Sequence, residues 1–473
     1  GAPSNEDGSM TGPAIDYSYV TRSELASESG ESRLDLATSG GWGTDGGLSH
    51  PFFFSGFVEQ PAVVAAGLLL LARVARTRFY VPPNSLAAIL RAADPVVTST
   101  REGLRFESFS ACCGVYARMD VDAGALDAAH SAVGVTNVDV NPPLRQALAG
   151  LRTSEPLHLN VGDDELRVST LGGEVVEEKV PLPKRWLKGF AETQMLSAGM
   201  TLQQELTGPA VRQFVQALPK SSSTKTVMWA TRAARTLRLA SRPTPGSVCV
   251  AGPERLRVLE PLLRFATALR AYGPVADATS LPMPSVWVLE LPGARVSIGL
   301  SPEKARGFSG EGAVLHSLAG EDVAEDVDLV STLLQFDPRI DVARLSADAG
   351  LSQPRIDGAL SALASFGQVG FDLAADAYFH RPLPVQPELL EGLHPRLADA
   401  RKFLAAGGVS AAGDGLLHVM SGGVRYDVRL GVAATEDRCT CPWYAKYRGT
   451  RGPCKHALAA RIQATGLDEG ADA

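Results

Sequence analysis

The chain has 473 residues, too many for a single hydrophobic core, so roughly two to four domains are expected. It is 45% hydrophobic and 21% charged with a net charge of −7, the composition of an ordinary soluble protein, and any cationic surface must be local. Six cysteines in a chain this long exclude a disulfide framework and suit a reducing cytosol.

Residues 1–9, "GAPSNEDGS", read as a tag remnant before Met10, and 10–50, rich in Ser, Gly and Glu, as a flexible N-terminal segment. The glycines of "TSGGWGTDGG" are followed by no Gly-Lys-Ser/Thr, so they make no phosphate loop. "TGPAIDYSYV" has neither the basic start nor the apolar run of a signal peptide. The apolar stretch 62–72, within a helix expected over 61–78, is too short to span a bilayer and reads as a buried helix. The expectation is a cytoplasmic protein without membrane contact.

Residues 51–320 read as an α+β body, in one piece or as two lobes breaking near 200. "RFESFSACCGVYARMDV" is strand-like, as are "LHLNV", "ELRVSTL" and "GEVVEEKVPL", separated by Gly and Asp turns. A helical run is expected at 201–217, then a loop, "LPKSSSTKTV". The strands "RTLRLAS" and "SVCVAG" follow, then a long amphipathic helix near 253–271 and the strands "SVWVLEL" and "ARVSIGL".

Cys112 and Cys113, adjacent on a presumed strand, would point to opposite faces and read as structural thiols. Asp120, Asp122, Asp127 and Asp139 lack a paired metal spacing and read as marks of turns and helix ends. His50 and His130 sit in no recognisable motif. No nucleophile–base pair is legible, so the expectation is a non-enzymatic protein. From Arg212 to Arg242 the chain carries seven cations, and no acidic residue lies between Glu205 and Glu254. That asymmetry suits a solvated face or a basic stripe.

Residues 321–385 have the order of a winged helix. Val327, Val330, Leu333 and Leu334 give one helix, and Val342, Leu345 and Ala349 a second that Gly350 closes. Ser352 caps a third with Pro354 in its first turn, and "QVGFDLAADAYFHRP" alternates as a hairpin turning near Ala375 and Asp376. Nine acidic residues against Arg339, Arg344 and Arg355 between Glu321 and Asp357 favour protein contact or scaffolding over DNA reading.

Residues 386–473 hold three of the six cysteines. "LLHVMSGGVRYDVRL" is a hairpin about a Ser-Gly-Gly turn, and Cys439-Thr-Cys441, Cys454-Lys-His456 and a helix follow. Three thiolates and one imidazole satisfy one tetrahedral zinc ion, and four protein ligands make the site structural rather than catalytic. The spacing Cys-x-Cys then Cys-x-His, after a hairpin and leading into a helix, resembles the SWIM zinc finger. That family's ligand pattern falls on Cys439, Cys441, Cys454 and His456. The resemblance implies action on DNA, as in helicase-like ATPases, transposases and recombination factors, or else protein contact. The runs "HPFFFSGF", "RFESFSACCGVYARMDV", "VTNVDVN" and "LSPEKARGFSGEG" resemble bacterial SWIM proteins encoded beside MoxR-type AAA ATPases and von Willebrand factor A proteins. That likeness implies an accessory part of a multi-protein system and supplies no catalytic residue.

Trp443, Tyr444 and Tyr447 lie among Lys446, Arg448, Arg451 and Lys455, the cation-and-ring mixture that single-strand binding requires. The same cations could instead offset the negative charge of the zinc thiolates, and Trp443 could roof the metal. Taken together, the sequence predicts a multi-domain α+β chain: body, winged-helix-like unit and C-terminal finger. Its expected role is DNA binding, or else docking of a AAA ATPase or von Willebrand factor A partner.

Overall fold

The computed structural model describes residues 24–28, 31–36, 41–42, 48–49, 54–77, 79, 95–138, 140, 142–151, 156–161, 184–305, 307–308, 323–383, 395–432, 436–449 and 452–468. The first stretch of chain forms β1 (Glu24–Glu28), β2 (Glu31–Leu36), β3 (Gly41–Trp42), β4 (Leu48–Ser49), β5 (Phe54–Val58) and α1 (Pro61–Arg76). Next come β6 (Val96–Thr100), β7 (Gly103–Phe109), β8 (Val115–Asp122), β9 (Leu126–Ser131), β10 (Gly134–Asn137), α2 (Pro142–Gly150), β11 (Leu157–Val161) and α3 (Lys184–Ser197). The body closes with β12 (Thr201–Thr207), α4 (Pro209–Ala217), β13 (Val227–Ala233), β14 (Thr236–Ala240) and β15 (Val248–Ala251). A 3₁₀ helix (Pro253–Leu262), β16 (Ala268–Gly273), β17 (Ser285–Leu291) and β18 (Ala294–Leu300) complete it.

A ten-stranded sheet in the order β12-β16-β17-β18-β8-β7-β6-β10-β3-β4 is the body's centre, with a five-stranded sheet β1-β2-β11-β5-β9 and a three-stranded sheet β14-β13-β15 beside it. β18 pairs with β8 along its whole length, Ala294 opposite Val121 through Leu300 opposite Val115. This sheet therefore combines strands from both sides of residue 200.

Several expectations are corrected. Paired strands β1–β4 lie in the segment expected to be flexible. Thr201–Thr207 is an edge strand on β16 rather than the start of a helix. Pro261 interrupts the expected long helix, which is a 3₁₀ turn followed by β16. Cys112 and Cys113 occupy the turn between β7 and β8, Cys113 with φ +53, so the strand-face argument does not apply to them. "ELRVSTL" and "GEVVEEKVPL", with His50 and Asp139, lie outside the described residues.

The two faces of the central sheet differ in chemistry. Val115, Ala117, Met119 and Val121 of β8, with Leu104 and Phe106 of β7 and Val296 and Ile298 of β18, pack in the core that α1 covers. α1 lies flush on the strands, because a Cβ at Gly67 would come 2.1 Å from Met119 Sδ. By the two-residue period of a strand, Arg105, Glu107, Arg118, Asp120 and Arg295 emerge together on the opposite face. An alternation of this kind normally marks a face open to water. Here the chain covers it.

The cover comes from α5 (Val323–Leu333), α6 (Val342–Ala349), α7 (Gln353–Ser365), β19 (Val369–Asp372) and β20 (Ala377–His380), three helices and a hairpin in the expected order. Asp341 caps α6 by accepting from Arg344 N, and Gly350 ends it at φ +67. α7 packs its buried Ile356, Leu360 and Leu363 against Val330 and Leu345. From the hairpin, Asp372 reaches Arg105 at 3.3 Å, Arg118 at 3.1 Å and Arg295. Asp120, expected at a turn, is buried mid-strand and pairs with Arg105 at 2.6 Å and Arg118 at 2.8 Å. Arg381 joins Glu107 at 2.9 Å, both wholly buried, while the Tyr116 hydroxyl donates to the other oxygen of Glu107. Phe379 lies beneath Arg105, whose guanidinium carbon stands 3.6 Å from the ring centroid.

Burial raises the pKa of Asp120, but Arg105, Arg118 and Arg295 outweigh it and hold the carboxyl well below the usual carboxylate range. Asp372 is likewise lowered: burial and Asp120 push up, and the same three guanidiniums, Arg118 foremost, pull down. Asp372→Ala leaves three guanidiniums under the hairpin with one carboxylate, and is expected to cost about 3–5 kcal/mol in urea unfolding. Folded pKa values below the unfolded value mean that this stabilisation is complete above about pH 4 and is lost as pH falls through the folded values. The native chain should therefore lose thermal stability below about pH 4 more steeply than Asp372→Asn; parallel losses would contradict this account.

Candidate metal centre

After α8 (Pro395–Ala405), the chain forms a small sheet of β21 (Val409–Gly413), β22 (Leu416–Ser421), β23 (Val424–Arg429) and β24 (Arg438–Cys439). Gly422 and Gly423 have φ of +60 and +79, the backbone that a two-residue hairpin turn requires, and they set β22 against β23. β23 in turn places Cys439 opposite Val428 on the sheet's edge. Two helices, α9 (Pro442–Tyr447) and α10 (Lys455–Asp468), start beside Cys441 and Cys454.

Cys439, Cys441, Cys454 and His456 are all buried, with one ligand atom from each within 4.8 Å of the others. His456 Nδ1 lies 3.9 Å from Cys439 Sγ. Ligands of one tetrahedral zinc ion stand about 3.6–3.8 Å apart, given Zn–S near 2.3 Å and Zn–N near 2.0 Å, so the spacing fits. Backbone donors converge on the sulfurs: Cys441 N on Cys439 Sγ at 3.4 Å, Tyr444 N on Cys441 Sγ at 3.4 Å, and Ala457 N on Cys454 Sγ at 3.3 Å. Donors aimed at all three sulfurs favour thiolates, the form that binds metal. Hydrogen bonds from the Cys439 and Cys454 thiols hold the Cys441 thiol well below its usual range, whereas the same crowding and burial push Cys439 up. A divalent cation resolves that conflict by favouring every thiolate at once.

The imidazole is held by two rings, Tyr426 stacked at 4.3 Å and Phe403 at 5.6 Å between centroids. Neither ring is part of the ligand spacing; Tyr426 belongs to the apolar alternation of the hairpin, and no sequence signal marked Phe403. The finger's apolar residues continue into α3 and α7 through Ala191 and Ala362, so it sits on the body instead of hanging free.

The residues expected to touch nucleic acid divide into two groups. Trp443 packs against Tyr447 at 4.3 Å under the guanidinium of Arg396, and Tyr444 is half-buried in the finger's core. Lys455 pairs with Asp399 at 3.1 Å, and beside this set Arg461 is tied to Asp437 and to the Gly431 carbonyl. These serve the finger itself. Lys446 and Arg448 are exposed, as is Arg438 outside that set, and Arg451 lies outside the described residues. Sequence reading missed Arg429, which stands directly opposite Arg438 across β23 and β24 and is also exposed. The alternating signs of "VRYDVR" were the available clue.

This centre is that of a zinc finger. Residues 426–462 match the family model of the SWIM zinc finger, and its Cys439, Cys441, Cys454 and His456 are positioned to bind a zinc ion. No curated protein matches the chain. Among solved structures it is similar to the crystal structure of Proliferating Cellular Nuclear Antigen from Entamoeba histolytica, with 11% identity over 53% of this chain and 98% of that one. The TM-score is 0.32. Among the described residues, no helix is long and apolar enough to cross a membrane.

Elemental analysis of the purified protein should find one zinc per chain. Cys439→Ser or Cys454→Ser should abolish it and expose the α10 amides to rapid hydrogen exchange, while β7, β8 and β18 stay protected. Full zinc retention in both variants would overturn the tetrad.

Proposed function

We propose that the protein is a non-enzymatic zinc-dependent module that binds DNA through its finger. The observation that carries this reading is the pair Arg429 and Arg438. Like charges directly opposite across two strands repel one another, and among the described residues no carboxylate pairs with either. A phosphate between them would turn that repulsion into attraction. Exposed Lys446 and Arg448 extend the same charge along α9 and its end. Because Trp443 and Tyr444 are already packed, the reading rests on phosphate contacts rather than on base stacking.

One observation supports the docking alternative. Met420 and Val424, at the tip of the finger's hairpin, are 46% and 50% exposed and could seat a protein such as a AAA ATPase or a von Willebrand factor A partner.

Anisotropy of labelled single- and double-stranded DNA, titrated with zinc-loaded protein at two salt concentrations, separates the readings. Arg429→Ala/Arg438→Ala should keep its zinc, weaken binding about tenfold or more, and reduce the salt slope by about two. Binding absent even at low salt, or indifferent to this variant, would remove the DNA reading and direct attention to the hairpin tip.

A further inference from the structure

Apart from the finger, a trough of about 520 Å³ runs between α1, α2 and the 3₁₀ helix Pro253–Leu262. Its floor is one face of α1: Ala62, Ala65, Ala66, Leu69 and Leu70, at the three- and four-residue spacing of a helical stripe. Further along the same face come Arg73 and Arg76, and Arg145 of α2 and Arg264 also line the space. None of the described lining residues is acidic. Arg73, Arg76 and Arg264 are exposed, and among the described residues no carboxylate pairs with Arg73 or Arg76.

Two features decide what such a space accepts. The first is its gradient. Small apolar side chains occupy the first turns of α1 and cations its last turn, about 20 Å away at the rise of a helix. The second is charge. Arg73 and Arg76, both exposed at the end of the apolar stripe, raise a positive potential there that an anion would lower. A volume of this size, mainly apolar with a few charged groups at one end, is that of a small-molecule site.

We propose that this trough binds an amphiphilic anion, an aliphatic chain lying along Ala62–Leu70 with a carboxylate or phosphate head at Arg73 and Arg76. The site is independent of the finger and of its reading as a DNA binder. It is tested by calorimetric titration of the zinc-loaded full chain with dodecanoate and with dodecyl phosphate, both below their micellar concentrations. Dodecanol and dodecyltrimethylammonium serve as the uncharged and cationic controls.

Saturable single-site binding of either anion, absent for both controls, is expected, and the preferred anion identifies the head group. Arg73→Ala/Arg76→Ala, which changes only exposed side chains, should weaken that binding about tenfold or more. Ala66→Trp, filling the floor, should abolish it. Failure of both anions to bind, as would follow if an acidic peptide were the true occupant, overturns the proposal. So does equal binding of the controls, or binding unchanged in the double arginine variant.

Discussion

Three buried thiols and a buried imidazole, with one ligand atom from each inside 4.8 Å, form an arrangement that protonated side chains do not favour. A divalent cation at their centre reverses the sign, because thiolates and a neutral imidazole are what it coordinates. The order of the last stretch of chain follows from that. β24 is held against β23, α9 and α10 begin at ligand cysteines, and Tyr426 and Phe403 close on the imidazole. Through Ala191 and Ala362 the finger's core joins α3 and α7, so the metal also anchors the finger to the rest of the molecule.

A second set of interactions joins the remaining parts. The polar face of the ten-stranded sheet is covered by the β19–β20 hairpin, which supplies Asp372 to three arginines and Arg381 to Glu107. Buried ion pairs contribute little net stability compared with apolar packing, yet a misplaced hairpin would leave these charges buried and unpaired. That penalty disfavours other placements of the hairpin on the sheet. α7 packs on α3 and the hairpin faces the sheet, so the three-helix unit is joined to the body through both.

The finger was legible because its signals are local. The ligands fall within eighteen residues, the turn is Gly-Gly, and the hairpin alternates. Gly350 and the apolar periods of α5 to α7 were equally local. Thr201–Thr207 was misread because "TLQQELT" is rich in good helix formers, and pairing with β16 overrides that preference. In "PERLRVLEPLLRFATALR" the apolar period continues past Pro261, which the backbone cannot follow as an α-helix. The ion network gave no signal at all. Arg105 and Asp372 are 267 residues apart, and a charged alternation looks the same whether water or another part of the chain covers it.

The most direct test of the central claim is X-ray absorption at the zinc edge of the purified protein. Three sulfur ligands at about 2.3 Å and one imidazole nitrogen at about 2.0 Å are predicted, four ligands in all. A shell dominated by nitrogen and oxygen, or one of four sulfurs, would contradict the tetrad of Cys439, Cys441, Cys454 and His456 and the order derived from it.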